Sequence, residues 1–480
     1  MKLLLAACLL ALSAQGALAA DAVDRTKPPG PSGKGADWAP PAMTTWAMKN
    51  GITVWYLRQD QAPLLSLRLM LPNGAASDPD GQAGLTALMV DMLDEGAGQR
   101  SALELSEAFQ RLATDYEAYP ATDGVVLGMD LLADQLDPSL ALLADVLRRP
   151  RLPEDEFARR KAQRIAAALA NEAEPGYGAQ VVAHRVLFGQ GYSGRMADGV
   201  RSTLEGLTLD MVKARYAQVV QPKGAVLIAV GAVDRETLTK ALEKHLGDWQ
   251  GAPTATALRV SDAPAPRGIY WVDYPGSAQS VVVVARRVSG SSSDSDEYFP
   301  ATIFNRVIGG AFTSRLNLNL REDKGYTYGA RSSFDRNVKA GVFSLSAKVR
   351  AETTRASLDE MLNELKQISG KKPIEAKERD EAVNGLMLGF PGRFESMANV
   401  ASQAVSMALD RRPVDWLNHW PKNLGAVTLA DAQGAARAEG KPDGFLVIIA
   451  GDHAKLAASM DGIGLPVHLY DAQGAPVANQ

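Results

Sequence analysis

The sequence predicts a mixed α+β chain of two homologous half-modules, and two observations carry that prediction: a repeat that divides the chain near its middle, and strand-like and helix-like periodicities mixed within a half. Pro222-Lys223-Gly224, a six-residue apolar run from Ala225 to Val230 and Gly231 recur as Pro442-Asp443-Gly444, the run Phe445 to Ala450 and Gly451, a lag of 220 residues. A turn, a short buried strand and a closing Gly are common in α/β proteins, so a second match carries weight. Ser66 to Met70 and Ser280 to Val284 both precede a Gly- and Asp-containing loop and then a helix, at a lag of 214, with small insertions accounting for the difference. Between the halves, residues 251–267 contain Gly251, Pro253, Pro264 and Pro266 among Ala and Thr and read as a linker. Residues 45–250 and 268–472 are then two similar domains of about 210 residues each, a size typical of one core.

The elements follow in order. Met1-Lys2, an apolar run from Leu3 to Leu12 too short to span a bilayer, and the cleavage signal Ala17-Leu18-Ala19 mark residues 1–19 as a secretory signal peptide, which implies a periplasmic or secreted protein. Residues 20–44, with Lys27-Pro28-Pro29-Gly30-Pro31, read as a flexible arm. Folding starts near Thr44. Gly51 to Leu57 and the apolar run Leu64 to Leu71 are strands, because β-branched and aromatic residues suit a pleated, half-buried surface. Ala102 to Leu112 and Asp137 to Arg149 fit amphipathic helices, and Pro153-Glu154-Asp155-Glu156 opens a third with its carboxylates in the first turn, where the helix dipole favours them. Gln279 to Ala285 has no alternation over Val281 to Val284, which fits a buried core strand; an edge strand that pairs with an extended peptide is the other reading. Trp416, His419 and Trp420, near Pro413 and Pro421, fit core and loop.

Composition narrows the function. The chain has 480 residues, 46% hydrophobic and 22% charged, with a formal charge of −4. A nucleic-acid surface needs a clustered basic excess, and no such cluster is present. Cys8, inside the predicted signal peptide, is the only Cys, so the mature chain has neither disulfides nor thiol chemistry. No later stretch reaches 18 uninterrupted apolar residues, so no membrane span is predicted.

Gly309-Gly310, Ser314-Arg315-Leu316 and Leu320-Arg321-Glu322-Asp323-Lys324-Gly325-Tyr326-Thr327-Tyr328 form the most informative stretch. It resembles the C-terminal half of the M16 peptidases (pitrilysin/insulinase-like, inverted zincins), in which a glycine pair, a short helix and an Arg/Tyr pair precede a strand. Asp137 to Leu147, Arg151 to Phe157 and Asn171 to Gly176 are similar to further family stretches, in the family's order. The resemblance implies two half-modules, each a mostly antiparallel sheet with helices packed on one face, arranged as a clam shell. It also implies a zinc helix bearing His-x-x-Glu-His. The matching helix here runs Gly84-Leu85-Thr86-Ala87-Leu88-Met89-Val90-Asp91-Met92, with Ala87, Val90 and Asp91 where the motif needs His, Glu and His. The loss holds in any register: the five His are His184, His245, His419, His453 and His468, no two of them two to four residues apart. The run Ile165 to Leu169, where the family's third ligand is expected, has no carboxylate, and Glu172 beyond it has no His to act with. No metal site is expected in this chain.

Some members of the family work as pairs, one subunit carrying the zinc motif and the other the Arg/Tyr pair. The resemblance therefore implies an accessory subunit, inactive alone, that supplies Arg321 and Tyr328 in trans to a partner M16 subunit carrying His-x-x-Glu-His and its zinc, on a peptide substrate. Gly309, Gly310 and Ser314 are candidate substrate-backbone contacts, although glycines before a helix also serve close packing. Arg321 as a helix cap and Tyr328 packed on a strand is the structural alternative, and Tyr326 is one register slip from Tyr328. A non-catalytic scaffold and a peptide-binding pseudopeptidase are the alternative functions.

Overall fold

The first half of the chain lays down β1 (Thr44–Ala47), β2 (Thr53–Arg58), β3 (Leu64–Pro72), β4 (Asp115–Pro120), β5 (Gly124–Leu132) and β6 (Val226–Gly231), which pair in the spatial order β1-β2-β6-β3-β5-β4. The second lays down β7 (Ile269–Asp273), β8 (Gln279–Ser289), β9 (Thr327–Arg336), β10 (Ala340–Arg350), β11 (Leu446–Gly451) and β12 (Val467–Tyr470), in the order β12-β7-β11-β8-β10-β9. The structure is a computed structural model that describes residues 38–254, 258, 260, 265–291 and 297–477. The predicted signal peptide, most of the predicted arm and part of the predicted linker lie outside these residues.

Both sheets are mostly antiparallel, with one parallel pair at the same place in each, β2 with β6 and β7 with β11. They differ at the outer strand: β1 runs antiparallel to β2, whereas β12 runs parallel to β7. The 220-residue repeat is β6 and β11. Its closing glycines are forced by the neighbouring strand, since a Cβ on Gly231 would lie 2.3 Å from the Leu64 carbonyl oxygen and one on Gly451 would lie 2.7 Å from the Ser280 Cβ.

The second match needs a one-residue correction. Leu67 lies opposite Ala229 on β6, and Val282 lies opposite Ile449 on β11, so with β6 and β11 superposed the equivalent of Leu67 is Val282, a lag of 215 and not 214. The difference decides which way side chains point, because a one-residue shift turns every side chain of a strand to the other face. Leu67 and Val282 are both buried on the face that carries each half's own helices. β8 pairs on both sides, with β11 and with β10, so the reading of Gln279–Ala285 as an edge open to a peptide is overturned.

The helices that position the site are α1 (Leu85–Asp91), α2 (Leu136–Arg148), α3 (Glu154–Glu172), α4 (Pro175–Phe188), α5 (Tyr298–Ile308), α6 (Thr354–Ile368) and α7 (Met397–Leu409). In the first half, Leu85, Leu88, Met89, Leu140, Leu143 and Leu147 from α1 and α2 share one core with Val54, Leu65, Leu67, Leu69 and Leu127 of the sheet. In the second, α6 lies on β8 and β10.

Each sheet has a second face, and there the halves trade helices. α4 belongs in sequence to the first half but packs on β7, β8 and β11, joining Ala179, Val182, Ala183 and Val186 to Tyr270, Val272, Ala285, Val342 and Ile448. α7 belongs to the second half but packs on β3, β5 and β6. Ala179, Val182, Ala183 and Val186 fall at helical spacing on one stripe, and Pro175 stands in the first turn, where its missing N–H costs nothing. Ser396 caps α7 by accepting from the Asn399 N–H at 3.1 Å. Each fully buried Val, Leu or Phe of these helices contributes roughly 1.5–3 kcal/mol by leaving water. Polar contacts reinforce the exchange: the Tyr192 hydroxyl donates to Asp123 at 2.8 Å, the Val338 N–H donates to the same carboxylate at 2.8 Å, and the Lys339 N–H donates to the Tyr192 oxygen at 3.0 Å.

A single cut between residues 251 and 267 should therefore leave the two fragments bound to each other. Size-exclusion chromatography of the nicked chain under native conditions should give one peak at the intact mass, and separation into independent halves would contradict the exchange.

Candidate functional site

α1 and α3 lie side by side, and an ion pair joins them. Asp91 ends α1. Arg164, on α3, donates from Nη2 to Asp91 Oδ1 at 2.9 Å and from Nε to Oδ2 at 2.5 Å, a two-pronged contact on a side chain that is 17% exposed. Nη2 also reaches the Ala87 carbonyl at 3.2 Å, and Nη1 reaches Asp198 at 3.2 Å. Burial opposes the charge on Arg164, but the hydrogen bond and charge of Asp91 outweigh it and hold the guanidinium above its ordinary pKa. These residues do not fit zinc. Ala87 and Val90 bring no side-chain donor, and both oxygens of Asp91 face a fixed positive charge that would repel a cation. Glu172 is engaged with Arg201 at 3.2 Å. Among the described residues, no group of three or more His, Cys, Asp or Glu is placed to hold a metal. The histidines are dispersed: His184 lies 2.7 Å from the Ser193 carbonyl, His245 pairs with Asp137, His453 meets Trp271 edge-on and His468 stacks on Tyr270.

Arg164→Ala leaves the Asp91 carboxylate half-buried and unpaired, so it should cost about 1–3 kcal/mol, the scale of a lost hydrogen bond to a charged group. Urea unfolding checks this, and an unchanged midpoint would contradict it. One turn beyond α1, burial pushes the Asp94 carboxyl up to about 6 against the opposing charge of Arg160. A folded-state pKa above the unfolded one contributes stability below the unfolded pKa that is lost as pH rises through the folded value. Asp94→Asn should accordingly raise the melting temperature above pH 6 and change it little near the unperturbed 3.8.

Arg321 and Tyr328 lie in the second half. Arg321 sits in a π-helical turn, Leu318–Asp323, that continues the short helix Arg315–Asn317. Such wide turns concentrate at functional sites because they displace side chains from the helical register. Its guanidinium lies 4.6 Å from the centre of the Phe312 ring, and its Nε is 3.4 Å from Glu322. Tyr328 stands near the start of β9 and is 93% exposed, so it is not packed on the strand. The register explains why. Ala330 pairs with Ala347 and Thr327 with Val349, so Tyr328 and Gly329 together face Lys348 alone, a β-bulge. A bulge leaves ladder groups unpaired and re-aims a side chain. Thr327 closes this one: its hydroxyl lies 2.7 Å from the Lys348 carbonyl and 3.0 Å from the Gly329 carbonyl, and it accepts from the Gly329 N–H at 3.1 Å. Asn317, buried, ties the helix to the strand by accepting from the Ala330 N–H at 3.1 Å and donating to the Phe312 carbonyl at 2.7 Å.

The other three candidates lie in packing. Gly309 is buried where a Cβ would come 2.5 Å from the Ser332 nitrogen, whose N–H donates to the Gly309 carbonyl at 3.1 Å. Gly310 is exposed, but a Cβ there would lie 2.9 Å from the Asn305 carbonyl oxygen. Ser314 is 2% exposed and begins the short helix. From the sequence, Phe312 falls with the glycine pair as a substrate-backbone candidate and Thr327 in the stretch around Tyr328, without the roles described here, and Asn317 is not singled out. Only the pair Thr327-Tyr328 beside Gly329, a residue that tolerates a bulge, was a usable signal.

Profile comparison places Insulinase (Peptidase family M16) on residues 53–193 and the Peptidase M16 inactive domain on residues 206–386, together more than half of the sequence. The chain belongs to the M16 peptidase family. Among its M16 relatives, a Helicobacter pylori protein named non-peptidase homolog YmxG is 22% identical over 352 residues, 72% of this chain and 80% of that one. An uncharacterized zinc protease of Rickettsia bellii is 21% identical over 69% of this chain and 79% of its own length. Of solved M16 structures, the peptidase M16 inactive domain from Pseudomonas fluorescens superposes with a TM-score of 0.79 at 24% identity, over 85% of this chain and 98% of that one. A protease from Helicobacter pylori gives 0.77 at 17% identity, over 85% and 99%. At these identities the structural likeness is one of fold. In this M16 chain the helix at the place of the family's metal motif carries Asp91 paired with Arg164 and no histidine.

Proposed function

We propose that this chain is the non-zinc subunit of a two-chain M16 peptidase, inactive alone, and that it supplies Arg321 and Tyr328 to a partner carrying His-x-x-Glu-His. One observation supports the reading above others: Tyr328 is turned out of the fold by a bulge that the chain spends Thr327 to hold, with no role in its own core. Among the described residues, the terminal nitrogens of the Arg321 guanidinium have no hydrogen-bond partner. A phenol and a guanidinium are donors, and donors aimed at the oxygen that becomes anionic in a tetrahedral intermediate stabilise it when the site is preorganised. Metal and water activation belong to the partner. Arg321 binds and orients the peptide carbonyl, with Phe312 beneath it, and Tyr328 donates as charge develops. The predicted signal peptide adds a periplasmic or secreted location to the proposal. Among the described residues no helix is long and apolar enough to cross a membrane.

Tyr328→Phe should lower kcat of the reconstituted pair by roughly 10- to 1,000-fold, the scale of losing one oxyanion donor, with assembly intact by size-exclusion chromatography. Arg321→Ala should also raise KM, since it removes a charge as well as donors. Full activity of Tyr328→Phe in an intact complex would leave the chain a scaffold.

A further inference from the structure

The outer strands of the two sheets carry opposite charge at equivalent places. In the first half, Ile228 on β6 leads across the ladder to Arg68, Gly128 and Glu117, and Val230 leads to Ser66 and Asp130. In the second, Ile448 leads to Val283, Ser346 and Arg331, and Ala450 leads to Val281 and Lys348. Ile228 and Ile448, like Val230 and Ala450, are related by the 220-residue repeat. Arg331 therefore stands where Glu117 stands, and Lys348 where Asp130 stands. The first set is paired within the chain: the buried Arg68 reaches Asp130 at 2.8 Å and Glu117 at 3.3 Å. The second is not. Arg331 and Lys348 are exposed, and among the described residues neither has an ion-pair partner.

These two side chains share the face of the second sheet on which α4 lies, beyond the part that α4 covers. There the face changes from Ala285 and Val342, which pack in the α4 core, to Ser344, Ser346, Ser333, Arg331 and Lys348. Asp335 is the carboxylate on this face of β9, one strand repeat beyond Ser333. Lys348 is also the residue opposite the bulge, so this basic strip ends at Tyr328. The rim of β9 is closed to strand addition over its middle, because the Ala330 N–H is taken by Asn317 and the Ser332 N–H by the Gly309 carbonyl. A ligand is therefore read by side-chain charge on the face and not by extension of the sheet.

We propose that the outer face of β9 and β10 docks an acidic, extended peptide segment, with Arg331 and Lys348 as its anchors and Tyr328 at its end. This rests on the accessory-subunit reading and names the substrate class for it. The surface is local, since the chain as a whole carries a charge of −4.

The test uses the mature chain alone and three fluorescein-labelled peptides of about twelve residues, alternating Ser with Glu, with Lys or with Gln, followed by fluorescence anisotropy. The Glu peptide should bind at least about tenfold more tightly than the other two, and more weakly as salt shortens the Debye length. Arg331→Glu combined with Lys348→Glu should weaken it roughly tenfold or more, since two exposed attractions become repulsions; Arg331→Lys should retain it. Both sites are exposed, and the variants' melting temperatures report folding. No binding of the Glu peptide, equal binding of all three, or binding unchanged by charge reversal would overturn the proposal, as would tighter binding of a single-stranded oligonucleotide. Turnover of the reconstituted pair is measured separately on Tyr328→Phe, so that failure of the catalytic reading appears in those kinetics and failure of the docking proposal in the anisotropy of the charge-reversed chain.

Discussion

Each of the two sheets has two faces that must leave water, and the chain solves this by exchanging a helix between its halves. α4 and α7 are the elements that make one molecule of two repeats. Without Val182, Val186 and Phe188 of α4, the face of β7, β11 and β8 loses the larger part of its helical apolar cover, and α7 covers β3 and β6 in the same way. The hydrogen bonds among Asp123, Tyr192 and the β9–β10 hairpin lie at this crossing and hold the hairpin that precedes β10. The basic strip on β9 and β10 is a consequence, since it is the part of the face left over once α4 has taken its share.

The Asp91–Arg164 pair joins the two helices on which the family resemblance expects metal ligands. The two helices are bridged by a guanidinium, which satisfies one carboxylate and one backbone carbonyl together. The arrangement keeps α1 and α3 in register. Half-buried ion pairs contribute little net stability against apolar substitutes, but removing one partner is costly, so the pair resists piecemeal change.

Much of the architecture was legible in the sequence because it is written in local patterns. The strand Leu64–Pro72, the helices at 102–111 and 136–148, and the start of the helix at 154–172 fall within one or two residues of the boundaries read from periodicity and first-turn carboxylates. The repeat was legible too, but its second match slipped by one residue, because Val281 to Val284 are chemically alike and only pairing to β11 tells which of them faces the helices. The helix exchange was not legible, since an apolar stripe does not say which sheet it covers. At the candidate site, Arg321 and Tyr328 were reachable by resemblance. The bulge that displays Tyr328 was not, because a bulge is defined by a partner strand some twenty residues away in sequence. Arg164 was invisible for a similar reason, as its meaning depends on Asp91, 73 residues earlier.

The helix exchange also sets a schedule for the growing chain. When β6 is complete at Gly231, every strand of the first sheet has been made, yet α7, which covers one of its faces, begins only at Met397. At roughly 5–20 residues per second, about 8 to 30 seconds of synthesis pass with Met70, Val226 and Ile228 lacking their cover. Until then the first half cannot close by itself, so it stays open to proteases and to non-native pairing for longer than a self-contained domain of its size.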